Sequence, residues 1–197
     1  MKLYKRIILF LTVKRSFYKT LKEQKMKKLL FLVSITLLSL SAQAQDDKSK
    51  MQSPPATLSV GIGGTNVTIK YSQPAVKGRN IWDPNGQLAP YGKVWRTGAN
   101  NATTFEIDKD VKIEGKILEK GKYALFTIPG EKDWIIIFNK KSAQWGAFSY
   151  KAEDDVLRVT VPAQKSASFN ERFIIALENS NQIALSWENV KASFKVN

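Results

Sequence analysis

The stretch Gly121-Lys122-Tyr123-Ala124-Leu125-Phe126-Thr127-Ile128-Pro129-Gly130-Glu131-Lys132-Asp133-Trp134-Ile135-Ile136-Ile137-Phe138-Asn139 contains two apolar runs separated by a polar turn. Tyr123 to Ile128 and Trp134 to Phe138 are apolar at odd and even positions alike, so both faces of each run expect cover. Short runs rich in β-branched and aromatic residues, bounded by turn residues, read as central strands. Pro129-Gly130-Glu131-Lys132 supplies the turn between them.

Outward from this pair the pattern changes to alternation. Val67 to Tyr71, Phe105 to Asp108, Val111 to Glu114 and Leu157 to Val161 switch apolar and polar residues one by one. Ile183 to Trp187 and Val190 to Val196 do the same, and Phe173 to Leu177 is a weaker case. Each buries one face and wets the other, as antiparallel sheets do. Glu114-Gly115 reads as a tight hairpin turn and Asp83-Pro84-Asn85-Gly86 as a β-turn. A single short helical turn is predicted near Ser142 to Trp145. The expected fold is all-β: an antiparallel β-sandwich, jelly-roll-like or a squat barrel, of about nine to eleven strands.

The N-terminus reads as targeting sequence. Met26-Lys27-Lys28 is a cationic start, Leu29 to Leu40 is an apolar run, and Ser41-Ala42-Gln43-Ala44 carries an A-x-A cleavage pattern. Residues 26–44 are therefore expected to be a signal peptide cut after Ala44. Residues 1–25 read as an upstream extension to a chain that starts at Met26, with a long basic n-region as the alternative. Residues 45–55 form a flexible leader and 56–197 a single domain. The apolar run is shorter than the roughly 20 residues that span a bilayer, so no stable membrane span is expected after cleavage. The expected location is periplasmic or secreted.

This division changes the charge argument. The whole chain carries a formal charge of +14. Residues 1–25 hold eight Lys/Arg against one acid, and Lys27 and Lys28 follow. The part after Ala44 keeps 21 Lys/Arg against 16 Asp/Glu, a net charge of +5. No run of more than two cations remains there, so a nucleic-acid partner loses its electrostatic basis. The chain has no His and no Cys. Triads with a His base and the common zinc and iron ligand sets are thereby excluded. Neither a metal nor a cofactor is expected.

Tyr91-Gly92-Lys93-Val94-Trp95-Arg96-Thr97-Gly98-Ala99-Asn100-Asn101-Ala102-Thr103-Thr104 follows neither period. Irregular segments of this length in a compact domain are usually functional. Together with Pro74 to Arg79, Pro90, Gly121 to Gly130, Phe138-Asn139 and Gln144-Trp145-Gly146, it resembles the domain of unknown function 2911 family. The resemblance runs from about Ser53 to the C-terminus. It implies an exported, β-rich domain of Gram-negative bacteria and no particular activity. Family members commonly carry Glu after Gly-Ala-Asn, where this chain has Asn101, and the connector from Asp83 to Leu88 looks longer than usual.

The candidate ligand-binding residues are Tyr91, Lys93, Trp95, Arg96, Thr97, Asn100 and Thr103, with Asn139 and Trp145 as neighbours. An Arg fork beside aromatic walls suits a carboxylate or sugar acid. The competing reading pairs Arg96 with a carboxylate such as Glu106 and puts Trp95 in the core. The Thr97–Asn101 loop either presents N–H groups to an anion or bonds its own backbone. Trp82, Trp145 and Tyr150 are alternatives as stacking platforms or core residues, whereas Trp134 and Trp187 read as core. Glu153-Asp154-Asp155 reads as a solvated turn rather than a calcium loop. The expected function is a non-catalytic envelope module, binding or structural, for a small anionic or carbohydrate-like ligand or a protein partner. The alternative is a His-independent hydrolase that uses a carboxylate or Lys93, with the Thr97–Asn101 loop as oxyanion support.

Overall fold

The computed structural model describes residues 52–197. The upstream extension, the signal peptide and most of the leader lie outside the described residues. Nine strands follow in order: β1 (Pro55–Ile62), β2 (Thr65–Ser72), β3 (Thr103–Ile107), β4 (Val111–Ile113), β5 (Lys116–Leu118), β6 (Gly121–Ile128), β7 (Asp133–Asn139), β8 (Asp155–Asn179) and β9 (Gln182–Lys195). All pairings between them are antiparallel. The main sheet has the order β1-β2-β3-β6-β7-β8-β9, and β4-β5 is a separate hairpin. The expected all-β architecture forms, with nine strands among the described residues against the nine to eleven expected.

The 25-residue β8 turns this sheet into two layers. Its first part, Asp155 to Pro162, pairs with β7, whereas from Ala163 onward it pairs with β9. The end of β9 then meets β4 through an Ile113–Val196 bridge and paired Lys112–Asn197 backbone bonds. On the opposite side, the chain leaving β2 bonds to the second half of β8: Phe173 N–H donates to Pro74 O at 2.9 Å and Val76 N–H to Glu171 O at 2.7 Å. The result is a curled, half-barrel sandwich.

Side-chain alternation fills the space between the layers. Thr65, Val67, Ile69 and Tyr71 of β2 are buried while Asn66 and Lys70 face out. Phe105 and Phe138 meet edge-on at 5.0 Å, and both reach Phe194 of β9, at 6.2 and 5.9 Å. Burying one such ring stabilises the fold by about 1.5–3 kcal/mol. A second aromatic group, Trp82, Trp95, Trp134, Trp187 and Phe173, fills the other end of the core. Trp134 and Trp187 are core residues, as their strand patterns required.

β6 and β7 are apolar on both faces for a visible reason. Ala124, Phe126 and Ile137 point outward and are covered by Ala102, Val94, Ala147 and Tyr150. The segments around 94–102 and 147–150 are therefore a lid over the outer face of the sheet. They also build the candidate site.

Several expectations are corrected in detail. Leu157–Val161 and Phe173–Leu177 belong to one strand, joined through polar residues that pair with β9. Ile183–Trp187 and Val190–Val196 likewise merge, with Glu188 at φ 55 marking an irregularity between them. The helical turn expected at Ser142–Trp145 does not form; the short 3-10 turn lies at Ala152–Asp154. β1 was not anticipated, although Leu58, Val60 and Ile62 alternate with polar and small residues. It takes in Pro55, the last residue of the expected leader, and Pro54 O accepts from Gln73 N–H at 2.9 Å.

Candidate functional site

The irregular segment is held to the sheet before it can present anything. Trp95 and Thr127 exchange backbone bonds of 2.7 and 2.9 Å, which grafts Trp95 onto β6 as a one-residue bridge. That bridge turns the Trp95 indole into the core, where it stacks on Trp187 with centroids 5.5 Å apart. Its neighbours Val94 and Arg96 stay partly exposed. The chain then makes a sharp excursion, with Thr97 at φ 54, Gly98 at φ 154 and Asn100 at φ 60. A Cβ on Gly98 would lie 2.9 Å from Ser72 O, so only glycine fits.

The polar groups of this corner are spent internally. Trp95 Nε1 donates to Gly98 O at 3.0 Å, Thr103 Oγ1 to Thr97 O at 2.6 Å, and Thr97 Oγ1 lies 3.2 Å from Thr127 Oγ1. Ala102 N–H donates to Gln144 O and Thr103 N–H to Arg96 O, so these two amides are not free for an anion. Trp95 is 2% exposed, and Thr97 and Thr103 are wholly buried. The bridge to β6 faces these three inward, although Trp95 still borders the cleft that holds Arg96.

Asn139 also faces inward. It is buried at the end of β7 and its amide is saturated. Nδ2 donates to Lys151 O and Asp155 Oδ1, while Oδ1 accepts from Lys141 N–H and from Gln144 Nε2. It fastens residues 141–151 onto the sheet. Tyr91 is half-buried, stacked on Trp82 at 5.7 Å and 10°. Trp82 is core, with its Nε1 bonded to Glu188 Oε2 at 2.7 Å.

The acidic cluster is a turn before β8, as expected, but it is solvated at Glu153 and not at Asp154. Asp154 is buried and takes ion pairs from Lys140 at 3.1 Å and Lys141 at 3.3 Å. Burial alone would raise its pKa; the bonds from the two lysines outweigh that and hold it below the ordinary value. Asp155 accepts from Tyr150 Oη at 2.6 Å and from Arg158 Nε at 2.8 Å. Burial, together with the bond to Asp155, pushes the Tyr150 phenol up to about 12. No group of three metal-ligating side chains occurs among the described residues.

Five expected residues keep exposed surface: Tyr91, Lys93, Arg96, Asn100 and Trp145. Lys93 and Arg96 line a cleft of about 530 Å³ with Leu88, Pro90, Val94 and Phe148. Arg96 is half-buried there. Its Nε is buried without a hydrogen-bond partner, and no described residue accepts a bond from its guanidinium. Burial lowers its pKa from the usual arginine value. Among the described residues no carboxylate lines this cleft. Glu106, the suggested partner of Arg96, pairs with Lys122 at 3.2 Å instead.

Trp145 borders a neighbouring cleft of about 490 Å³ with Asn101, Thr104, Lys122 and Ser142. An Asn101–Trp145 bridge and a Gly146 N–H bond to Asn100 O at 3.0 Å join its two walls. Asn100 lines neither cleft; it is exposed at a turn, with Nδ2 3.4 Å from Ser72 Oγ. Sequence reasoning missed Phe148 and Lys122, and named Asn101 and Thr104 only as members of the irregular segment. Phe148 stands 86% exposed beside Gly146, whose φ of 64 lets the ring lie against the backbone. No periodicity marks a loop aromatic as exposed, so only its glycine neighbour could have drawn attention to it.

The described residues thus form an all-β sandwich whose outer-face lid carries exposed aromatics and an arginine without a hydrogen-bond partner among them. The family described as Protein of unknown function (DUF2911) matches residues 53–196, and the chain belongs to it. Neither the curated proteins nor the solved structures yield a match.

Proposed function

We propose that this domain is a binding module for small anionic ligands, with Arg96 as the anchor. One observation carries the reading: a half-buried guanidinium that bonds to no acceptor among the described residues faces a cleft with no carboxylate in its described lining. An ordinary structural arginine has its donors satisfied, because an unpaired buried charge is costly. A ligand carboxylate would supply the missing acceptors as a fork, and Lys93 adds a second positive charge. Leu88, Pro90, Val94 and Phe148 provide apolar walls for the rest of the ligand. We place the module in the cell envelope, on the strength of the cationic start, apolar run and A-x-A pattern before Gln45. N-terminal sequencing of the protein from a periplasmic fraction would test that placement, with Gln45 as the expected first residue.

The binding test is calorimetric titration of residues 45–197 with galacturonate, and with galactose as the neutral counterpart. Galacturonate should bind and galactose should not. Arg96→Gln should weaken binding by about tenfold or more, the range of a lost charged hydrogen bond. Equal affinity for acid and neutral sugar, or full affinity in Arg96→Gln, would sink the proposal.

A further inference from the structure

The two clefts lie on either side of one residue. Trp145 lines the first, and Ala147 and Phe148 line the second. Gly146 forms the saddle between them: a Cβ there would lie 2.9 Å from the Phe148 ring and 3.5 Å from Arg96 Nη1. Their floors are the same outer-face lid over β3, β6 and β7. The Arg96 side is cationic with apolar walls. The Trp145 side is different in kind: an indole 63% exposed, the amide of Asn101, the hydroxyls of Thr104 and Ser142, and Lys122.

An exposed indole flanked by amide and hydroxyl groups matches one ligand chemistry. A pyranose ring has an apolar C–H face that packs on an aromatic plane and an equatorial rim of hydroxyls that needs donors and acceptors. A peptide partner would instead call for a larger apolar lining than Ala102, Ala143 and one indole. We infer that the ligand is an acidic oligosaccharide lying across the saddle, its carboxylate on Arg96 and an adjoining sugar ring on Trp145. This rests on the Arg96 reading and extends it from a single acid to a chain of sugars.

The test titrates the same protein with galacturonate, tetragalacturonate and the neutral maltotetraose. Tetragalacturonate should bind more tightly than the monomer. Trp145→Ala should weaken tetragalacturonate about three- to tenfold, the usual worth of one aromatic contact, and leave galacturonate unchanged. Trp145→Phe should restore part of the gain, which a mere folding defect would not allow. If galacturonate binds through Arg96 but the tetramer gains nothing, or gains equally in Trp145→Ala, the oligosaccharide inference falls and the Arg96 reading stands. If maltotetraose binds as tightly as tetragalacturonate, the acidic requirement falls. If neither acid binds, both fall.

Discussion

Trp95 and Arg96 are neighbours with opposite fates, and one backbone bridge to Thr127 separates them. Trp95 is turned into an aromatic cluster, so Trp95→Ala should cost about 3–5 kcal/mol, the range for truncating a buried aromatic. Equilibrium denaturation would measure it, and a cost under about 1 kcal/mol would contradict the packing described. Gly98 is a second decisive residue: the Ser72 carbonyl that crowds its missing Cβ cannot rotate away. Gly98→Ala should therefore destabilise by about 1–3 kcal/mol. Tyr150 offers a pH readout. Its folded pKa, near 12, lies above the ordinary 10, so its contribution is complete below pH 10 and is lost as pH rises towards 12. Absorbance titration against Tyr150→Phe should show one phenol missing from the latest-titrating group; a normal pKa would refute the Asp155 bond. At this scale the sequence was only partly legible. The residue types of the site were visible, but their facing was not, because the 91–104 segment has no period to assign sides.

Elements were easier to read where burial follows alternation. The β2 pattern and the doubly apolar β6 and β7 pair stand in the structure as their residues require. The Glu114-Gly115 turn, at φ 47 and 82, joins β4 to β5 as a two-residue hairpin. β8 was legible only at its ends. Between Pro162 and Arg172 it runs through mostly polar, exposed residues with Phe169 among them, so no hydrophobic pattern announces a strand whose residues 163–165 and Asn170 pair with β9. The lid from 140 to 151 was also hidden, since its anchors are polar. Asn139→Ala would orphan Lys141 N–H and leave Gln144 Nε2 with Lys141 O as its one acceptor, at about 1–3 kcal/mol for the buried donors left unsatisfied. Hydrogen exchange should speed up in residues 140–151 while β2 and β3 stay protected. Asp154 makes the same lid sensitive to acid. Its folded pKa lies below its unfolded value near 3.9, so its support is complete above about pH 4 and is lost as pH falls through the folded pKa. Protection of the lid amides, relative to their intrinsic exchange rates, should fall at low pH in the wild type, and Asp154→Asn should flatten that dependence.

Across the whole molecule, β8 belongs to both layers, so neither can come apart while the other keeps its partner strand. Thermal unfolding of residues 45–197 should then be one transition, with calorimetric and van't Hoff enthalpies in agreement. Two resolved transitions would mean that the layers are independent. The closing of the curl came from long-range pairing of segments about 100 residues apart, such as Pro74 with Phe173, and no local pattern encodes that. The placing of the tryptophans has a practical corollary. Four of the five are sealed in the core, and Trp145 alone stands in solvent. Dissolved iodide can collide with that indole and with none of the others, so it would extinguish a single component of the intrinsic emission. The residue that borders the Asn101 cleft is thereby its own lamp, and a bound molecule lying over it would shade it from the quencher without any label being attached.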